Sequence, residues 1–301
     1  MGYLSQKKRQ TNIRELLLIS LIFLLFCCSL LLFFKESVPA AFISKGLFHI
    51  YLYMICVFCI ALFYHFYWQG IALFFGSFLL FLNIGMGSNL FVDVHTAGLQ
   101  KIRLLYQPNI SHLYETEKQI IKKNVDIAGI IRHDSLATQL PFSDLNVSQR
   151  KDDKYLIFTP HKILRSGEVL LSQNNQAGFA EVNIDLKKIV FIAVDFSKSS
   201  LKEKQTALKN LAEFVNMQDN PVIVVGNFGI EAWAPDFLSF TDKTGLEVKN
   251  SVLLNNGKHL FNPFVVPTIN VLAYKDFGIS HMTFLPAKKN KIRPLLIDLN
   301  Y

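Results

Sequence analysis

Few residues in this chain are spaced for chemistry. Among its eight histidines, His133 is followed directly by Asp134. Adjacent residues of a strand point to opposite faces, so the pair reads as a loop entry rather than a dyad. His95, His112, His161, His259 and His281 show no spacing that would bring ring nitrogens onto one metal. There is no H-E-x-x-H, no G-x-S-x-G nucleophile elbow and no phosphate-binding glycine loop. The four cysteines, Cys27, Cys28, Cys56 and Cys59, all fall in apolar stretches, so the rest of the chain has neither a disulfide framework nor a thiolate metal site. His49 and His65 lie on or near one such stretch, where an ionisable group can mark a proton path. Both sit near its ends, where a neutral imidazole is inexpensive. Asn109 with Ser111, and Asn146 with Ser148, match the glycosylation acceptor pattern, which recurs by chance. Trp233 reads as a loop anchor on the core, with a ligand platform as the alternative. Lys288, Lys289, Lys291 and Arg293 form the one dense basic run, read as a solvated face. It is too small to track a nucleic-acid backbone, so nucleic acid is not an expected partner.

Composition separates the elements that must position any site. Apolar residues make up 51% of the 301, with 27 Phe, and charged residues only 18%. That is below the roughly 25% charged content of soluble domains. From Gly46 to Val92 there is no Asp, Glu, Lys or Arg. About twenty apolar residues cross a bilayer as a helix, so three spans are expected, at about 16–34, 47–67 and 71–92. Trp68, Gln69 and Gly70 read as the tight turn of a helical hairpin, with Tyr64, Tyr67 and Trp68 at an interfacial aromatic belt. A cleaved signal peptide is the alternative for the first span, with Val38, Pro39 and Ala40 as the cleavage site. Lys7, Lys8, Arg9 and Arg14 precede that span, which places the N-terminus in the cytoplasm by the positive-inside rule. Three crossings then put the rest of a multi-pass protein of a bacterial inner membrane on the extracytoplasmic side.

Beyond residue 100 the pattern becomes that of an α/β or α+β domain. Strands are expected at Ile102–Tyr106, Val125–Ile131, Tyr155–Phe158, Glu168–Leu171, Phe179–Ile184, Lys188–Val194, Val222–Val225, Ile269–Tyr274, Met282–Leu285 and Pro294–Leu299. Helices are expected at Ser111–Lys123, from a Ser200 and Glu203 capping box to Asn216, and at Ala234–Thr244, ended by Gly245. The resulting organisation is a membrane region over 1–93 and a domain over 100–301.

The segment NPVIVVGNFGIEAWAPDFLSFTDKTGL, residues 220–246, resembles the endonuclease/exonuclease/phosphatase superfamily, in which an apolar strand leads into G-D-F-N, a loop often holding Trp, a helix with two Phe, and T-G-L. Gly226, Phe228, Trp233, Phe237, Phe240, Thr244, Gly245 and Leu246 carry the likeness. DIAGII at 126–131, PTINVLAY at 267–274 and KIRPLLIDL at 291–299 fall where that family has its other site strands. The resemblance implies a two-sheet α/β sandwich, and the membrane-anchored bacterial branch fits best.

The resemblance also implies a Mg²⁺-dependent phosphoesterase site, and the sequence departs from it at nearly every position. The family's first-strand Asn falls at Gln107, or at Asn109 if the loop shifts. Its metal-binding Glu falls at Arg132 and its phosphate-gripping His at Asp195. The G-D-F-N loop has Asn227 for Asp and Gly229 for Asn. The later Asp becomes Asn270, and the terminal Asp-His pair becomes Lys291 and Ile292, leaving Arg293 and Pro294 intact. Mg²⁺ favours hard anionic oxygen, which amides supply poorly and cations not at all. The expectation is therefore a non-catalytic binding or scaffold module with no cofactor, and Arg132, Lys291 and Arg293 as a possible anion site for a phosphorylated ligand or protein partner. A divergent phosphodiesterase or phosphatase that uses Mg²⁺ is the alternative. A protein whose function lies in the spans is the third reading.

Overall fold

The computed structural model describes residues 12–24, 38–87, 100–108, 120–131, 146–148, 154–185, 187–249, 269–285 and 294–301; of 38–49, most of 77–87 and 146–148 it describes the backbone alone. The helical part comprises α1 (residues 12–24), α2 (Val38–Phe63) and α3 (Tyr67–Gly87). Leu17, Ser20 and Leu24 form the buried stripe of α1, and Met54, Val57 and Ala61 that of α2, each at helical spacing. Ser20 Oγ lies 3.1 Å from Tyr53 OH. Gly76 lets α1 approach α3, because a Cβ there would fall 2.1 Å from a Leu24 methyl.

The hairpin turn is not at Trp68, Gln69 and Gly70, as the sequence pattern predicts. Those residues belong to the first turn of α3, and α2 ends at Phe63 instead. His65 takes a left-handed φ of 62°. The amides of His65 and Phe66 then donate back to Leu62 O at 3.1 Å and Ala61 O at 2.9 Å. This pair of bonds is the Schellman closure, which usually recruits Gly. A hydrogen bond of 2.6 Å between His65 Nδ1 and Tyr67 OH accompanies it. Gly70 instead faces α2, where a Cβ would meet Ala61 at an ordinary 3.5 Å.

Among the described residues no helix is long and apolar enough to cross a membrane. The backbone of α2 runs 26 residues and that of α3 21, but side chains are described only over 50–63 and, continuously, over 67–76. Residues 25–34 of the first expected span and 88–92 of the third lie outside the described residues.

The rest of the chain forms two six-stranded sheets. The strands are β1 (Lys101–Gln107), β2 (Ile127–Ile131), β3 (Asn146–Ser148), β4 (Tyr155–Thr159), β5 (Lys162–Ser172), β6 (Asn175–Ile184), β7 (Lys187–Asp195), β8 (Val222–Asn227), β9 (Glu247–Val248), β10 (Ile269–Ala273), β11 (Gly278–Phe284) and β12 (Leu295–Asn300). The orders are β11-β12-β1-β2-β4-β3 and β5-β6-β7-β8-β10-β9. Each sheet holds one parallel pair, β1 with β2 and β7 with β8. Two helices follow β7 and β8: α4 (Leu201–Asn216), opened by the predicted capping box of Ser200 and Glu203, and α5 (Pro235–Thr244), with Pro at the first helical position. Gly245, at φ 67°, terminates α5 as expected.

Alternate residues of both sheets meet in one core, including Ile102, Leu104 and Tyr106 of β1, Ile189, Phe191 and Ala193 of β7, and Leu295, Ile297 and Leu299 of β12. In β7 and β8 the intervening residues are buried too, which is why these strands read as unbroken apolar runs. The two longest strands differ most from expectation. Glu168–Leu171 and Phe179–Ile184 are parts of an 11- and a 10-residue strand joined in a hairpin, with Ser172 opposite Asn175. Much of β5 is solvent-exposed and polar, so its pattern lacks the apolar alternation that betrays a strand. Of the helix predicted at Ser111–Lys123, residues 120–122 are helical and 111–119 lie outside the described residues.

Two glycines let aromatic rings cross between the sheets. A Cβ on Gly129 would lie 2.7 Å from the Phe191 ring, and one on Gly178 would lie 2.2 Å from Tyr155 Cβ. Tyr155 cannot yield by rotating a distal bond, because the collision is at its Cβ. Gly178→Ala is therefore expected to lower unfolding free energy by about 1–3 kcal/mol, as overpacked core sites do. Gly167→Ala, whose Cβ would meet Phe179 at 3.4 Å, should change it little. Denaturant titration of both variants checks the difference.

Candidate functional site

Three of the positions singled out in the sequence come together because of strand direction. β7 and β8 run parallel, so their carboxyl ends coincide and Asp195 pairs in register with Asn227. β10 runs antiparallel to β8, which brings its first residues to the same end: Ile269 is opposite Asn227, and Asn270 opposite Gly226. Asp195 and Asn227 are each 7% exposed and Asn270 is 1% exposed. Gln107 is the last residue of β1. The preceding Tyr106 reaches across to the other sheet, so Gln107 belongs to this end as well.

That reach is made by a phenol, and a second phenol repeats it. Tyr106 OH donates to Val194 O at 3.0 Å and accepts from Asn227 N at 3.1 Å. Tyr155 OH donates to Gln176 O at 2.7 Å and accepts from the Asp195 amide at 3.2 Å. Both tyrosines are buried. Burial pushes the Tyr106 hydroxyl well above its usual pKa, the Asp195 carboxylate adds to this, and the Asn227 amide opposes it. Burial, and then Asp195, raise Tyr155 in the same direction. Both groups thus remain donors. Sequence reasoning placed these residues in strands without assigning them to the site. The only available signal was that Tyr106 immediately precedes Gln107.

The side chains at the strand ends shape their own loops. Asp195 Oδ1 accepts from Ser197 N at 3.1 Å, and Asn227 Oδ1 accepts from Gly229 N at 3.1 Å. These are the short-range turns that Asp and Asn favour. The Phe196 amide donates to Asn227 O at 2.7 Å, tying the two loops together, and the rings of Phe196 and Phe228 meet edge to face at 5.9 Å. Gly229 adopts φ 60°, and Lys204 Nζ donates to its carbonyl at 2.9 Å. A Cβ at residue 229 would lie 2.7 Å from that ammonium. Lys204 is another site residue that sequence reasoning missed. Glu231, in the loop after β8, is 3% exposed. Trp233 is 2% exposed.

Arg132, Lys291, Ile292 and Arg293 lie outside the described residues. So do His133 and Asp134, and the basic residues Lys288 and Lys289. His161 pairs with Asp126 at 3.1 Å, and Asp126 also accepts from the Arg103 amide at 2.7 Å. Asp126 just precedes β2, so this pair lies away from the strand ends that hold Gln107 and Asn227. Among the described residues no group of three or more His, Cys, Asp or Glu is placed to hold a metal. Asp195 is the one carboxylate at the final residues of β1, β7 and β8 or the first two of β10, where its companions are the amides Gln107, Asn227 and Asn270. That donor set does not suit Mg²⁺, which favours several hard anionic oxygens.

No protein-family model matches the sequence, and no curated protein does. Solved structures do match. The chain is similar to an endonuclease/exonuclease/phosphatase from Bacteroides vulgatus, with 10% identity and a TM-score of 0.53 over 67% of this chain and 99% of that one. It is similar as well to D. rerio TDP2 in complex with a single-stranded DNA product, with 11% identity and a TM-score of 0.52 over 67% of this chain and all of that one. A humanized D. rerio TDP2 carrying 14 mutations matches at 12% identity and a TM-score of 0.51, over 67% and 99% of the two chains. The two-sheet sandwich therefore has the endonuclease/exonuclease/phosphatase fold.

The phenol bridges lead to a pH test. A buried tyrosine whose folded pKa is raised contributes stability below the unfolded phenol's pKa, near 10, and loses it as pH rises above that value. Tyr106→Phe should cost about 1–3 kcal/mol at neutral pH, by leaving Val194 O and Asn227 N without this partner. It should also make unfolding less sensitive to pH above about 10. Denaturant titrations at neutral and alkaline pH read both effects.

Proposed function

We propose that this chain is a membrane-anchored, non-catalytic binding module with the endonuclease/exonuclease/phosphatase fold, and that its ligand carries a phosphate group. The observation that carries the reading is the chemistry at the ends of β7, β8 and β10, where Asn227 and Asn270 are amides and Asn227 Oδ1 is used by Gly229 N. An amide at Asn227 can hydrogen-bond but cannot take a proton from an attacking water. Arg132 and Lys291 put positive charge at positions where the family resemblance has metal ligands, and Arg293 follows them. A guanidinium matches phosphate oxygens bidentately without a metal. The preferred partner is a phosphorylated small molecule or protein, and nucleic acid is disfavoured because the sequence holds a single short basic run, Lys288, Lys289, Lys291 and Arg293.

Anchoring in the inner membrane of a bacterium, with the sandwich on the extracytoplasmic side, completes the proposal. It is supported by the charge-free run from Gly46 to Val92, by Lys7, Lys8 and Arg9 ahead of α1 with Arg14 in its first turn, and by outward-facing Phe63, Trp68 and Phe75, at 77%, 82% and 61% exposure. The alternative, a divergent metal-dependent phosphoesterase with relocated ligands, is favoured only by the buried carboxylates Asp195 and Glu231.

Calorimetric titration of the detergent-solubilised chain with Mg²⁺ and Mn²⁺, with and without phosphate, separates the two readings. The binding module should take phosphate without metal, and its affinity should fall as salt rises. Arg132→Glu combined with Lys291→Asp should abolish that binding without unfolding the sandwich. Mg²⁺-dependent hydrolysis of a phosphodiester by the wild type would establish the alternative. A reporter fused after Tyr301 tests the topology, and a cytoplasmic signal from it would overturn the three-crossing arrangement.

A further inference from the structure

We propose that the outer edge of β5 is a two-fold contact with a second copy of this chain, in which the two β5 strands pair antiparallel about Gly167. This contact is independent of any ligand at the strand ends. At 11 residues β5 is the longest of the described strands, and it lies at the end of its sheet, with β6 on one side and no described strand on the other. An edge strand presents a row of N–H and C=O groups to any extended backbone that can lie beside it. The other sheet ends are poorer templates. β9 has two residues and β3 three, and β11 is interrupted by a bulge between Ile279 and His281. Two bulges also flank β5, between Ile163 and Arg165 and between Leu170 and Ser172, but the segment from Arg165 to Leu170 pairs with β6 without a break.

Edge strands are commonly guarded by charge, and here both charged groups of that segment are drawn back onto their own chain. Arg165 Nε donates to Glu181 Oε2 of β6 at 2.6 Å, and another of its nitrogens reaches Gln218 beyond α4. Glu168 Oε1 accepts from Tyr155 N at 2.8 Å. Leu164 and Leu170, by contrast, are the two large apolar side chains of the described strands that lie exposed, one at each end of the segment. A two-fold axis between edge strands stands perpendicular to the sheet, so opposite residues share a face and the centre falls on a residue rather than between two. Side-chain type selects that residue. Centring on Arg165 or Glu168 would set like charges directly opposite, which destabilises a sheet. Centring on Ser166 sets Leu164 against Glu168 and Leu170 against Lys162. Centring on Gly167 sets Leu164 of each copy opposite Leu170 of the other, Ser166 opposite Glu168 and Arg165 opposite Val169. Both exposed leucines then gain an apolar neighbour, and no charge meets its like.

The test uses the full chain in density-matched detergent, its mass followed by sedimentation equilibrium over a range of concentrations. The wild type should be a dimer in equilibrium with monomer. Leu170→Lys should weaken the dimer at least about tenfold, because one substitution acts at both symmetry-related contacts, and Leu164→Glu should do the same. The two changes combined should restore dimerisation, since the register about Gly167 puts each new carboxylate opposite a new ammonium. Should a variant fail to fold, amide hydrogen exchange of the wild type gives a second readout: residues 165–170 should exchange more slowly above the dissociation constant of the dimer than below it. A wild type that is monomeric at every concentration, the outcome if the edge instead serves an extended segment of another protein, overturns the proposal. So does a dimer that Leu170→Lys leaves intact, a combined variant that stays as weak as the single ones, or exchange over 165–170 that does not change with concentration.

Discussion

Two phenolic hydroxyls fix one end of this sandwich. Facing sheets stand about 10 Å apart, too far for backbone groups to meet, and only a long side chain with a polar tip spans the gap. Tyr106 and Tyr155 do so from β1 and β4, each donating to one backbone carbonyl of the opposite sheet and accepting from one amide. The groups they satisfy flank Asp195 and Asn227. The placement of both residues therefore depends on these bonds as well as on the β7–β8 ladder. Gly178 is part of the same device, since any side chain there would collide with Tyr155.

With the backbone held in this way, chemistry at the strand ends is decided by side-chain type. The side chains there are one carboxylate, Asp195, and the amides Asn227 and Asn270, and two of them turn onto their own loops. Asn227 spends its carbonyl oxygen on Gly229, and the space above Gly229 is taken by Lys204. A single carboxylate, Asp195, remains at the final residues of β7 and β8.

Local signals in the sequence translated well wherever one physical rule acted alone. Ser200 with Glu203 makes a capping box whatever the tertiary context, and the helix after it ends at Asn216 as its pattern requires. The apolar runs of β7 and β8 could only be doubly covered strands. Signals failed where two rules competed. Gly70 reads as a turn residue, yet the left-handed position falls to His65, whose ring is bonded to Tyr67 and whose amide closes on Leu62. The β5–β6 hairpin was underestimated because half-exposed strands carry polar residues on both faces of their pattern.

The sequence by itself determined the charge-free stretch, the order of the main strands and the residue types at the positions that the family resemblance singles out. Each of these depends on residue type or on neighbours within a few positions. Only the tertiary structure decided which strands pair, that Asp195, Asn227 and Asn270 share one end, and that Tyr106, Tyr155 and Lys204 serve it. Those relations join residues far apart in the chain, such as Tyr106 and Asn227, separated by 121 positions. A phenol or an ammonium announces its partner only when the chain has brought a backbone carbonyl within about 3 Å of it.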